Sequence, residues 1–253
     1  MKNLILIILL PLLGFKADEQ ISWLNGAYQM ASTPKKLTSN ISSKNFKTIR
    51  LFYGGHWAKF EYNDQLVKLE GGVFNLDAGK HSLKSNYFLD DLSSKGKIEK
   101  YDFSIQDGPN QPKGSLRLTG EVEQEEEFYN KIQSQVPLQH KYLEGVWQLN
   151  GFALNGNAKP DNRAGIACLK YYLYPIFLLV KYSADGRVIG FAKGEYNFDY
   201  NKASVTEKVG ISTLPEYNAG QVITASVVLH DNSFERNPLR SAPKEFWISA
   251  TAK

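Results

Sequence analysis

A single cysteine, Cys168, stands in 253 residues, so no intrachain disulfide can form and the core must hold the fold. A secreted eukaryotic domain of this size would more often carry disulfides, and their absence favours a bacterial origin. Cys168 itself reads as a small buried apolar residue. Histidine is scarce as well. His56, His81, His140 and His230 are the four, no pair has metal-ligand spacing, and none sits in an HExxH motif. His56, beside Trp57, reads as structural, and His230, before Asp231, as part of a solvated turn. There is no Gly-x-Ser-x-Gly elbow. Gly194-Glu-Tyr opens no helix and so is no phosphate loop. Carboxylate pairs occur at no diagnostic spacing. The sequence therefore offers no catalytic residue, no metal ligand and no cofactor motif, and the chain is expected not to be an enzyme.

Clustered charge is missing too. The net charge is +4, but Lys and Arg are scattered and the longest charge run, Glu121 to Glu127, is acidic. A nucleic-acid surface needs the opposite, so no nucleic-acid partner is expected. Apolar runs are short. Leu4 to Leu13 follows Lys2 and precedes Ala17, which reads as a signal peptide over residues 1–17. Ten or so residues cannot span a bilayer. No cysteine follows to carry a lipid, so the mature chain is expected to be secreted or periplasmic, without an integral membrane segment. Tyr171 to Val180 is also too short to span, and Pro175 interrupts it. It reads as two paired strands around a central break.

What the chain does have is aromatic residues, 14 Tyr and 14 Phe, and these favour strands. Lys181 to Val209 reads as three consecutive strands. Ser183-Ala-Asp-Gly186 is a turn, Tyr196 and Phe198 alternate with Glu195 and Asn197, and Asp199 to Lys202 is a second turn. The pattern also repeats. Gly26-Ala-Tyr28 returns as Gly145-Val-Trp147, Phe60-Glu-Tyr62 as Val180-Lys-Tyr182, Gly72 to Asp77 as Gly194 to Asp199, and Glu127-Phe-Tyr129 as Glu245-Phe-Trp247. Each landmark recurs roughly 120 residues on, in order. The chain thus divides into a signal peptide at 1–17, one β domain over 18–136 and a second over 138–253, with a linker at Gln133–Lys141 marked by Pro137. Asp231 to Lys244, rich in Asn, Pro and Arg, reads as a long loop insertion, and so does Gln106 to Gly114.

The Gly-x-aromatic at the head of each copy, Gly145-Val-Trp147 and more weakly Gly26-Ala-Tyr28, resembles the opening motif of lipocalins. The later string from Val180 through Gly194-Glu-Tyr196 to Thr206-Glu207 resembles the lipocalin-like domains of secreted proteins from Gram-negative bacteria. The likeness covers most of 142–253 and reaches 21–132 through the repeat. It implies an all-β fold of two tandem antiparallel meander β-barrels, each able to hold a small apolar ligand.

Strand alternation puts Leu178, Val180 and Tyr182 on one face, and Tyr196 and Phe198 on one face of the next strand. With Glu207 as partner for a buried tyrosine hydroxyl, these six residues are the ligand-binding candidates. Trp147 is expected to plug a barrel end. Tyr28, its counterpart, is expected to let its hydroxyl reach water. The leading expectation is a secreted, non-enzymatic, lipocalin-like protein binding a small apolar or amphipathic molecule inside a barrel. The alternative is a structural or interaction module of the cell envelope with both barrels packed solid.

Overall fold

The computed structural model describes residues 24–32, 47–62, 66–77, 82–90, 98–106, 114–120, 126–132, 135–154, 157–160, 165–238 and 242–251. The signal-peptide segment and most of the Gln106–Gly114 loop lie outside the described residues.

The fold is all-β. Its first half is a meander of β1 (Gly26–Ser32), β2 (Lys47–Tyr53), β3 (His56–Tyr62), β4 (Leu66–Asp77), β5 (Ser82–Asp90), β6 (Ile98–Gln106), β7 (Ser115–Gly120) and β8 (Glu126–Lys131). Each strand pairs with the next, and β8 returns to β1 to close the barrel. The β2–β3 hairpin turns on Gly54 and Gly55, at φ 53° and 82°. A two-residue hairpin loop with both φ positive matches the strand twist, and glycine enters it without strain.

The second half runs β9 (Gly145–Leu154), β10 (Asn157–Pro160), β11 (Ile166–Leu173), β12 (Ile176–Ser183), β13 (Val188–Asp199), β14 (Ser204–Ser212), β15 (Val222–His230), β16 (Ser233–Pro238) and β17 (Lys244–Ser249). The sheet curls on itself because β9 pairs with both β11 and β17, while β10 hangs outside as the hairpin partner of β9. Pro175 sits in the β11–β12 turn, and Gly186, at φ 87°, turns β12 towards β13. No strand of one half pairs with a strand of the other among the described residues.

Two stretches differ from the sequence reading. Asp231 to Lys244 is not one long loop, because Ser233–Pro238 pairs with both β15 and β17. Ser233, Glu235 and Asn237 alternate with the buried Phe234 and Arg236, and Pro238 stands at the strand end, where its missing N–H costs no ladder bond. Within the linker, Leu138–Tyr142 forms a short 3-10 helix with His140 buried. Leu143 follows it, fully buried, and its carbonyl accepts a 3.0 Å hydrogen bond from Trp147 Nε1. The His140 ring lies 4.1 Å from that of Tyr174. Helix, Leu143 and Trp147 together stop one end of the second barrel.

The two barrels are joined by more than chain. Ala27, Ile49, Leu51 and Phe60 of the first share one buried cluster with Tyr171, Leu173, Leu178 and Val180 of the second. At its margins the Tyr171 hydroxyl donates to the Trp57 carbonyl at 3.4 Å, and Lys193 Nζ donates to the Tyr62 hydroxyl at 3.3 Å. β11 and β12 are thus buried on both faces: Tyr172, Phe177 and Leu179 point into their own barrel, while Tyr171, Leu178 and Val180 face the other. That accounts for near-continuous apolar runs where a solvated sheet would alternate.

Tyr28 is 1% exposed, against 7% for Trp147, so its ring is the more deeply buried of the two, and burial raises its pKa well above the ordinary tyrosine value. Trp147→Ala and Tyr28→Ala should each cost about 3–5 kcal/mol, with Tyr28→Ala no longer the milder change. A Trp147→Ala protein that melts like its parent would remove the residue from the barrel stopper. Phe60→Ala should cost a similar about 3–5 kcal/mol and shift one common thermal transition. Two transitions, only one of them moved, would show that the barrels are energetically independent.

Candidate functional site

The second barrel holds both a packed core and a cavity. Beside the stopper, Tyr196, Phe198, Val205 and Phe234 pack with Trp147 in a continuous core. At the other end a cavity of about 640 Å3 opens to solvent. Its lining joins the apolar Leu149, Leu179, Ile223 and Trp247 to the polar Tyr217, Gln221 and Thr224, with the exposed Lys181–Glu216 pair at its mouth.

Between core and cavity lies a plane of buried charge. Arg236 on β16 reaches Glu207 on β14 through one terminal nitrogen at 2.9 Å, and grips both Glu245 oxygens on β17 through the other at 3.1 and 3.0 Å. Lys170 on β11 donates to the remaining Glu207 oxygen at 3.0 Å. The Tyr172 hydroxyl donates to that same oxygen, and Trp247 Nε1 donates to Glu245 at 2.9 Å. Lys170 and Glu207 are wholly buried, and Arg236 is 1% exposed. Ions so far from water persist only when paired and hydrogen-bonded, and here two cations meet two carboxylates. Arg236 Nε alone has no hydrogen-bond partner.

The electrostatics follow. Burial by itself would raise the Glu207 carboxyl, but Arg236, Lys170 and the Tyr172 hydroxyl outweigh it and hold the group at about 2. Burial would pull the Arg236 guanidinium down; Glu207 and Glu245 reverse this and push it up. Burial, and then the Glu207 charge, raise the Tyr172 phenol, so it remains a neutral donor. Glu207 is therefore too acidic to shuttle protons near neutral pH. Among the described residues no group of three or more His, Cys, Asp or Glu could hold a metal.

The first barrel holds a related cluster. Arg50 lies 3.3 Å from Glu127, Lys59 Nζ lies 3.1 Å from the other Glu127 oxygen, and the Tyr129 hydroxyl donates to Glu127 at 3.0 Å. The Arg50 guanidinium also sits 5.7 Å from the Trp57 ring and 5.4 Å from that of Tyr129. Burial again acts to raise the Glu127 carboxyl, and Arg50 and Lys59 override it, holding it at about 2.

The six sequence candidates separate in space. Tyr196 and Phe198 lie in the packed core, and Glu207 lies in the charge plane. Leu178, Val180 and Tyr182 belong to the cluster between the barrels, on the face opposite the cavity, which Leu179 and Lys181 line instead. None of the six lines the cavity. The physical reason is the double burial of β12: with apolar residues at every position, alternation fixes which residues share a face but not which face is inside. The tyrosine that Glu207 satisfies is Tyr172, while the Tyr196 hydroxyl is buried without a hydrogen-bond partner. Sequence reasoning missed Lys170, Tyr172, Arg236 and Glu245. A signal existed for the first, since Lys170 interrupts the apolar stretch Ala167 to Leu173, and a lysine there needs a buried counter-charge.

No protein family, curated protein or solved structure matches the chain.

The depressed carboxyls dictate an acid limit. A group held at about 2 when folded, against an ordinary 4.5, stabilises the fold fully above about pH 4.5. That contribution is lost as pH falls through 4.5 towards 2. Glu207 and Glu127 should each surrender on the order of 3 kcal/mol across this window. Urea melts between pH 7 and 2 check this. A stability that stays flat below pH 4.5 would mean neither carboxylate is held as described. Glu207→Gln at pH 7 should cost about 3–5 kcal/mol, because it strands two buried cations.

Proposed function

We propose that this is a secreted, non-enzymatic, lipocalin-like protein that binds a small amphipathic molecule in the open half of its second barrel. The observation that carries the reading is the cavity: about 640 Å3, lined by apolar Leu149, Leu179, Ile223 and Trp247 together with a few polar groups, the Arg236–Glu245 pair among them. Small-molecule sites span roughly 300–1,000 Å3 and join apolar walls to a few fixed polar groups. The floor is rigid, since β14, β16 and β17 each contribute to its ion pairs. A ligand would therefore meet a preformed surface and order little on binding. The lipocalin likeness draws support from the ring of antiparallel strands and from Trp147 in its Gly-x-Trp motif against the stopper. Secretion rests on the N-terminal segment alone.

The first barrel is assigned a supporting role. Its described interior packs Tyr28, Phe52, Trp57 and Phe74 in one cluster, with Arg50 against the Phe52 and Trp57 rings, as the solid-barrel alternative would have it.

The mature protein should carry a small molecule through purification, seen as an added mass by native mass spectrometry. It should also take up an apolar dye whose binding quenches Trp247. Ile223→Trp, placed on the cavity wall, should weaken dye binding by about tenfold or more, 1.4 kcal/mol or above, while the melt is unchanged. Undiminished dye binding in a folded Ile223→Trp protein would show that the dye binds elsewhere and would remove the cavity as the site.

A further inference from the structure

We propose that the ligand's polar end is uncharged, a hydrogen-bond acceptor of the ester, amide, carbonyl or alcohol class, and that the cavity discriminates against free carboxylates. This rests on the reading of the cavity as a binding site, and it follows from how charge and donors are committed there.

Among the described residues lining the cavity, two are cations. Lys181, at the mouth, is ion-paired with Glu216. Arg236, at the floor, is shared by Glu207 and Glu245. Behind the floor Lys170 is spent on Glu207. The floor and its backing therefore sum to neutrality, and no described cation is left unshared to receive an acid. A carboxylate entering the cavity would approach Glu245, whose side chain is 14% exposed, and would add a second negative charge beside it with nothing to balance it. Desolvating an unpaired charge is among the most unfavourable events a site can impose.

The donors point the same way. Arg236 spends its terminal nitrogens on carboxylates, Trp247 Nε1 is taken by Glu245 and the Tyr172 hydroxyl by Glu207. What remains on the lining is uncharged, the Gln221 amide and the Thr224 hydroxyl, since the Arg236 Nε–H, though without a hydrogen-bond partner, is closed off from solvent. A neutral acceptor can take a hydrogen bond from such groups without disturbing the balance of charge. Tyr217, on the same side of the cavity, is kept neutral by burial and by Glu207 and Glu245. It adds a hydroxyl but no charge.

The test uses the whole mature protein and a set of probes of one chain length. N-phenyl-1-naphthylamine, an uncharged dye, reports occupancy by fluorescence. Dodecan-1-ol, dodecanamide and dodecanoate then compete for it at pH 7.5. The alcohol and the amide should displace the dye at concentrations about tenfold or more below that required of dodecanoate. Dodecanoate competing as well as the amide, or better, overturns the inference and leaves the binding site standing. If neither dye nor any competitor binds, the binding reading itself fails and this inference falls with it. Glu245→Gln supplies a second arm by removing one negative charge from the floor. In a protein shown by its melt to be folded, it should move the preference towards dodecanoate by about tenfold. An unchanged preference would mean that the Arg236–Glu245 balance does not set head-group selection. Should Glu245→Gln fail to fold, the comparison on the natural sequence decides alone.

Discussion

The structure turns on the bridging of Glu207 and Glu245 by Arg236. A guanidinium inside a barrel is tolerable only when paired and hydrogen-bonded, and this one meets carboxylates on two strands at once. Lys170 extends the bridge to β11, so four strands around the ring are held in register at one level. Below that level the interior is apolar and full. Above it lies the open cavity of about 640 Å3. The ion plane thus divides a stabilising core from a usable cavity, and the one set of bonds serves both.

The second constraint acts from outside. The first barrel covers one face of β11 and β12, which converts these strands from half-buried to fully buried. Apolar residues then suit every position, and the charge plane can draw on a strand with no solvated side. The longer apolar runs of the second copy therefore do not mark the interior of a bigger barrel. They mark the face on which two barrels meet.

This is also where the sequence stops being legible. The meander, its turns and the repeat could be read because they rest on local chemistry: Gly186 at a hairpin, aromatic alternation over Tyr196 and Phe198, and a Gly-x-aromatic at the head of each copy. The face of β12 could not be read, because Leu178 and Leu179 are chemically equal and only the neighbouring barrel tells them apart. The charge plane was hidden for a different reason. Lys170, Glu207, Arg236 and Glu245 lie far apart in sequence, and antiparallel pairing around a ring brings them together with no characteristic spacing. β16 was obscured by composition, since its Asn, Pro and Arg look like a loop until Arg236 is seen to have an interior partner.

Comparing the two copies shows what the repeat preserves. Arg50 pairs in register with Tyr28, and Lys170 with Trp147, so a cation occupies the same place on the strand next to each opening aromatic. Each last strand carries a glutamate followed two residues on by an aromatic, Glu127 with Tyr129 and Glu245 with Trp247, and in both the aromatic N–H or O–H donates to its own glutamate. The landmark visible as Glu-Phe-Tyr and Glu-Phe-Trp is therefore a device that aims a carboxylate at a buried cation. The copies part at several register positions. Opposite Tyr196 stands Glu207, whereas opposite its counterpart Phe74 stands Ser85. Opposite Glu127 stands Leu118, and opposite Glu245 stands Arg236. With leucine there, Glu127 is left to Arg50 and Lys59, and the ions gather on β2, β3 and β8. With arginine there, the ions spread across the ring and form a floor. Arginine in place of leucine, with glutamate in place of serine, thus distinguishes a barrel whose ions lie along one side from a barrel whose ions lie beside an open cavity.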